Sequence, residues 1–169
     1  MRVKTKRLLT LALLTAVSLV LFVVEAQIPA PVPVPGVKLG LSNVIVVCVL
    51  FLYGRRHALA VLLVKALLGA VITGQLGALP YSLAGGLLSL GVMCLLRGVL
   101  RDDQLWVASV LGAMLHNLGQ LLTALAITRT PGLAAYLPVL LLSGMLTGLF
   151  TGVAAQALTK RLKKRGNSE

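Results

Sequence analysis

Six apolar runs follow one another with little between them: 8–24, 39–53, 58–73, 81–100, 104–128 and 133–158. An α-helix rises 1.5 Å per residue, so about 20 apolar residues cross the roughly 30 Å hydrocarbon core of a bilayer. A surface helix of a soluble domain would need a polar face, and these runs have almost none. Only 12% of the residues are charged, against 58% hydrophobic. A soluble globular chain carries about twice that charged share, so too little polar surface exists to coat a globule in water. The expected fold is all-α integral membrane: one polytopic domain over residues 1–169, a six-transmembrane-helix bundle.

The basic residues orient the bundle. Arg2, Lys4, Lys6 and Arg7 precede the first run, Arg55 and Arg56 join the second to the third, and Arg97 and Arg101 join the fourth to the fifth. The tail carries Lys160, Arg161, Lys163, Lys164 and Arg165, whereas the alternate connections hold only Lys38 and Arg129. Basic connections stay on the cytoplasmic side, so both termini are expected there. The net charge of +12 is thereby read as topology. Nucleic acid is not an expected partner, because aromatic residues for base stacking make up only 4% of the chain and no basic groove accompanies them. The alternative for the first run is a cleaved signal peptide, with a basic start and a small-residue site at Val24-Glu25-Ala26. Its apolar stretch exceeds the usual 7–15 residues of such a segment, and the run is read as a retained span.

Polar residues inside hydrocarbon are costly and mark functional sites. Lys65 lies about seven residues into the third run, roughly 10 Å from its start, and His116 about twelve residues into the fifth, near the midplane. Gln120 is one helical turn beyond His116, and Asn117 borders the same face. Asn43 enters the second run, with Lys38 at its mouth. Lys38, Asn43, Lys65, His116, Asn117 and Gln120 are the expected ligand-binding residues, lining a cavity open to the outer face. Their chemistry is cationic and amide-rich, suited to an anionic group with an apolar body. Glu25 is the acidic residue nearest that face and the natural internal partner of Lys65. Other roles stay open for each. Helix packing would also employ His116, Asn117 and Gln120. Lys65 could snorkel to the inner interface, and Lys38 could anchor the outer one.

Catalysis is hard to build from this inventory. Four acidic residues are present, and Asp102-Asp103 reads as a solvated turn beside Arg101. A magnesium-diphosphate site needs several converging carboxylates. No Walker loop occurs, and His57 and His116 sit in different segments, against a shared metal. No catalytic residue, metal or cofactor is expected. Cys48 and Cys94 are isolated in apolar runs and read as small apolar filler.

Small residues recur at four-residue spacing. Gly144, Gly148 and Gly152 form a smooth stripe for helix packing, and Ala12 with Ala16 is the best candidate for docking a partner's helices. Four alternating prolines in 27–35 make a stiff extended strap, expected over the outer face. The second and third runs are short, as segments at transporter binding sites often are.

The segments Pro35-Gly-Val-Lys-Leu-Gly-Leu-Ser-Asn43, Tyr81-Ser-Leu-Ala-Gly-Gly86 and His116-Asn-Leu-Gly-Gln120 resemble a bacterial membrane family. That family carries two labels, Gx transporter family and heptaprenyl diphosphate synthase component I. It is similar to the substrate-binding S components of energy-coupling-factor transporters. This resemblance implies six helices with cytoplasmic ends in the bacterial cytoplasmic membrane. It implies a ligand taken from the outer face under the first loop, and docking to a coupling subunit and its ATPases through an Ala-x-x-x-Ala motif. Ala12 and Ala16 match that motif, and residues 25–38 the loop. The synthase label implies a prenyl synthase partner, although the aspartate-rich motifs of such enzymes are absent. Relatives also resemble a membrane component of flavin- and demethylmenaquinone-linked extracellular electron transfer, which implies a flavin-binding membrane partner. The expected function is an S-component-like subunit binding a small or isoprenoid-type anionic ligand. The alternative is a non-catalytic membrane subunit of polyprenyl diphosphate or menaquinone synthesis, or of that electron transfer.

Overall fold

A computed structural model describes residues 2–28 and 40–166. They form six α-helices: α1 (Arg2–Ala26), α2 (Asn43–Tyr53), α3 (Arg55–Ile72), α4 (Leu79–Leu96), α5 (Leu105–Thr128) and α6 (Leu137–Gly166). Short 3₁₀ turns at Leu76–Ala78, Asp102–Gln104 and Pro131–Tyr136 lead into the last three. The protein is an all-helical, multi-pass membrane protein. The segments Thr5–Ala26, Leu76–Leu96, Leu105–Thr128 and Pro131–Lys164 are long and apolar enough to cross a bilayer. The second run yields a helix of only 11 residues, about 16 Å long. The third begins earlier than expected, at Arg55, and its two arginines and Lys65 dilute its apolar character.

The short helix is the centre of the bundle. Residues Ile45 to Phe51 are all buried, which fits a segment apolar on every side. Gly54 ends it with φ +92, a conformation that side chains with a Cβ resist, and its N–H donates to Leu50 O and Val49 O. Because α3 starts at the next residue, α2 and α3 form a tight antiparallel pair. At the same end, Arg7 on α1 donates to Tyr53 O and lies 3.4 Å from His57 Nδ1. The basic starts of α1 and α3 and the arginines after α4 thus gather at one end, with the basic end of α6.

Burial divides the interior into three layers. Toward the basic end, α2 packs with Val61, Leu62, Leu90, Met93, Leu105 and Ala155 in a large apolar cluster. At the opposite end, Tyr81, Leu121, Ala124 and Leu140 form a smaller one between α4, α5 and α6. Polar side chains occupy the layer between, where α2 begins.

Glycine contacts at two helix pairs set the spacing of the last three helices. A Cβ on Gly119 would lie 2.8 Å from Gly85 Cα, and Cβ atoms on Gly148 and Gly152 would lie 2.6 Å from Val110 Cα and Trp106 Cα. Gly144 faces Met114 Cα at 3.0 Å in the same way. The α6 stripe is therefore in backbone contact with α5. In hydrocarbon, this packing supplies association that the hydrophobic effect cannot.

Candidate ligand site at the start of α2

Since α2 is short, its N-terminus lies inside the bundle rather than at the surface. Gly40, with φ +81, turns the chain into it, and a Cβ there would come within 2.9 Å of Asn43 Nδ2. The first amides of a helix lack intrahelical partners. Here the carboxylate of Glu25, at the end of α1, accepts the N–H of Gly40 through Oε1 and that of Ser42 through Oε2 at 3.4 Å. A carboxylate is the group that the positive end of a helix favours. Ser18, about two turns earlier on the same face of α1, donates to Ser42 O at 3.1 Å, so α1 holds the start of α2 at two points.

Lys65 approaches the same turn from α3. Its Nζ donates to Ser42 Oγ at 3.0 Å and to Asn43 Oδ1 at 2.6 Å. The residue is only 4% exposed, so the ammonium faces the interior and does not snorkel. Counted from Arg55, it sits ten residues into α3, about 15 Å along the helix and deeper than the run boundaries in the sequence indicate.

From the other side come α4 and α5. The close approach at Gly85 and Gly119 brings His116 and Gln120 against α4, where a Cβ on Gly85 would lie 2.9 Å from Gln120 Cγ and 3.2 Å from His116 Cε1. Gln120 is fully buried and His116 nearly so. Among the described residues, His116 Nδ1 has no hydrogen-bond partner, an unusual state for a buried polar atom. Glu25, Ser42, Asn43, Lys65, His116 and Gln120 line one cavity, closed in part by Phe22. Its volume is about 20 Å³, room for about one water.

One expected member is not in this cluster. Asn117 is turned toward α6, where its Nδ2 donates to Leu140 O at 2.8 Å beside Gly144. The 100° step between adjacent helical residues separates it from His116. Lys38 lies outside the described residues. Conversely, Ser18, Ser42 and Ser82 take part in or border the site. A serine in an apolar helix is a weak signal because it also serves ordinary packing, and Ser18 had no other mark in the sequence.

Ala12 and Ala16 lie elsewhere. Both are exposed and line an apolar groove of about 520 Å³ between α1 and α3, with Leu8, Thr15, Leu19 and Val64. No group of three or more metal-ligating side chains occurs among the described residues.

Comparison with known proteins adds the lineage. The profile of one family, described as heptaprenyl diphosphate synthase component I, matches residues 14–158. The chain belongs to this family. The match takes in the site from Ser18 to Gln120 and both glycine contacts of α5. No curated protein and no solved structure matches the chain.

Proposed function

We propose that this protein is a membrane ligand-binding subunit, similar in plan to the S component of an energy-coupling-factor transporter. Its six helices span the bacterial cytoplasmic membrane with both termini inside, as the gathered basic ends favour. The buried ammonium of Lys65 at the start of α2 carries the reading. A charge at mid-membrane depth is expensive, and here it is aimed, with helix amides, at one cavity that His116 also lines, its Nδ1 without a partner among the described residues. Half-helix N-termini inside transporters are aimed at anionic groups in the same manner.

The ligand's anionic group takes the position that Glu25 holds in this closed form. The amide of Gln120 and the imidazole of His116 supply further hydrogen bonds, and the apolar walls receive an isoprenoid-type or other small body. Entry requires the end of α1 to draw Glu25 away. The α1/α3 groove with Ala12 and Ala16 is the docking face for a coupling subunit, because small residues admit close helix approach.

A second reading is favoured by the family description. A component I implies another synthase component, and this chain would then be its non-catalytic membrane subunit, presenting an isoprenoid substrate or product. Affinity purification from native membranes, with mass spectrometry of proteins and extracted small molecules, separates the two. A co-purifying ATPase and coupling protein supports the transporter plan, and Ala12→Leu/Ala16→Leu then abolishes their capture. A prenyl synthase or flavin-binding membrane protein without an ATPase overturns it in favour of the second reading.

A further inference from the structure

A second cavity lies at the far end of α2, about 16 Å from the first along the helix. Its volume is about 290 Å³, and it is lined by Leu50, Arg55, Cys94, Arg97 and Gly98. The two arginines come from different elements: Arg55 opens α3, and Arg97 follows α4. Gly54 makes their convergence feasible, since a Cβ there would sit 3.2 Å from Arg97 Nη1. Among the described residues neither guanidinium has a hydrogen-bond or ion-pair partner. The first turn of α3 has no acidic residue and instead holds Arg55 and Arg56 at the positive end of the helix, the reverse of what the dipole favours. Like charges thus face a common hollow with an apolar floor, Leu50, and no partner among the described residues neutralises them.

We propose that this hollow is an anion site for a phosphate or diphosphate group. Planar guanidinium forks match phosphate oxygens in pairs, and such charge-assisted bonds are strong. The hollow is far larger than the water-sized cavity at Lys65, and it opens at the basic end of the bundle. Two sources present that chemistry there: the headgroup of an anionic lipid, and a free or prenyl-linked diphosphate.

Cys94 provides the readout, since it lines the hollow while Cys48 is fully buried. The full chain carrying Cys48→Ala is placed in phosphatidylcholine nanodiscs, and Cys94 is labelled with a maleimide. Inorganic diphosphate, compared with chloride at equal ionic strength, is expected to slow labelling several-fold if the source is soluble. Nanodiscs of phosphatidylglycerol are expected to slow it without diphosphate if the source is lipid. Arg55→Gln or Arg97→Gln removes the protection, and Arg56→Gln, outside the hollow, retains it. Unchanged labelling in both arms overturns the proposal. So does protection that survives Arg55→Gln and Arg97→Gln, or that is lost equally in Arg56→Gln, which would reflect bulk charge alone. If a variant fails to fold, the two arms on the otherwise unaltered chain decide the matter.

Discussion

Lys65 Nζ lies 2.6 Å from Asn43 Oδ1, tying the middle of α3 to the first turn of α2. A hydrogen bond that involves a charged group is worth about 1.5–3 kcal/mol. With the second bond to Ser42 Oγ, it fixes the start of α2 against α3.

Lys65→Met therefore removes two bonds and leaves Asn43 and Ser42 short of a partner. The expected loss is about 1–3 kcal/mol, read as a lower melting temperature in detergent. Any anionic small molecule that co-purifies with the unaltered chain should be absent from the variant. Retention of that molecule at the original level would remove Lys65 from the site.

Glu25 offers the opposite pairing of effects. Glu25→Gln keeps an oxygen for the amides of Gly40 and Ser42 but drops the charge, so melting should fall less than in Glu25→Ala. In the proposed function the carboxylate competes with the ligand, and Glu25→Gln should raise the amount of bound anionic ligand per protein. A fall in bound ligand would mean that Glu25 organises the site without competing for it.

Gln120 and Asn117 stand three residues apart but face different neighbours. Gln120→Ala should reduce ligand retention, measured by mass spectrometry of the purified protein. Asn117→Ala should leave retention unchanged and lower the melting temperature, because Leu140 O loses its amide donor, a change of about 1 kcal/mol or less in a membrane helix pair. Equal effects of the two on retention would place Asn117 back in the site.

The α5–α6 contact predicts a sharp contrast between glycines. A Cβ on Gly148 meets Val110 backbone at 2.6 Å, whereas one on Gly91 meets nothing within 4 Å. Gly148→Ala must part the two helices, at a cost of about 1–3 kcal/mol as for other overpacked sites. Gly91→Ala should be neutral or slightly stabilising, as alanine is the better helix former. Thermal melts of both variants in one detergent check this.

The apolar runs, and the near absence of charge within them, determine the membrane class and most helices. Those properties are local: length and hydropathy decide whether a segment can sit in hydrocarbon, whatever surrounds it. The polar residues worth attention were legible for the same reason, since Lys65, His116 and Gln120 stand out against leucine and valine. Ser42 and Asn43, at the end of one sequence motif, likewise mark where α2 begins. Their grouping was not legible. Only the tertiary structure decided that α2 stops short, with its first turn inside the bundle, because that depends on where Gly40 and Gly54 turn the chain. It also decided that Asn117 faces α6 while Gln120 faces the cavity. An angular difference on one helix acquires meaning only when its neighbours are in place. The arginine hollow is the extreme case. Arg55 and Arg97 stand far apart in the chain, and each reads as an ordinary basic residue at a helix end. Folding alone brings their charges to one cavity.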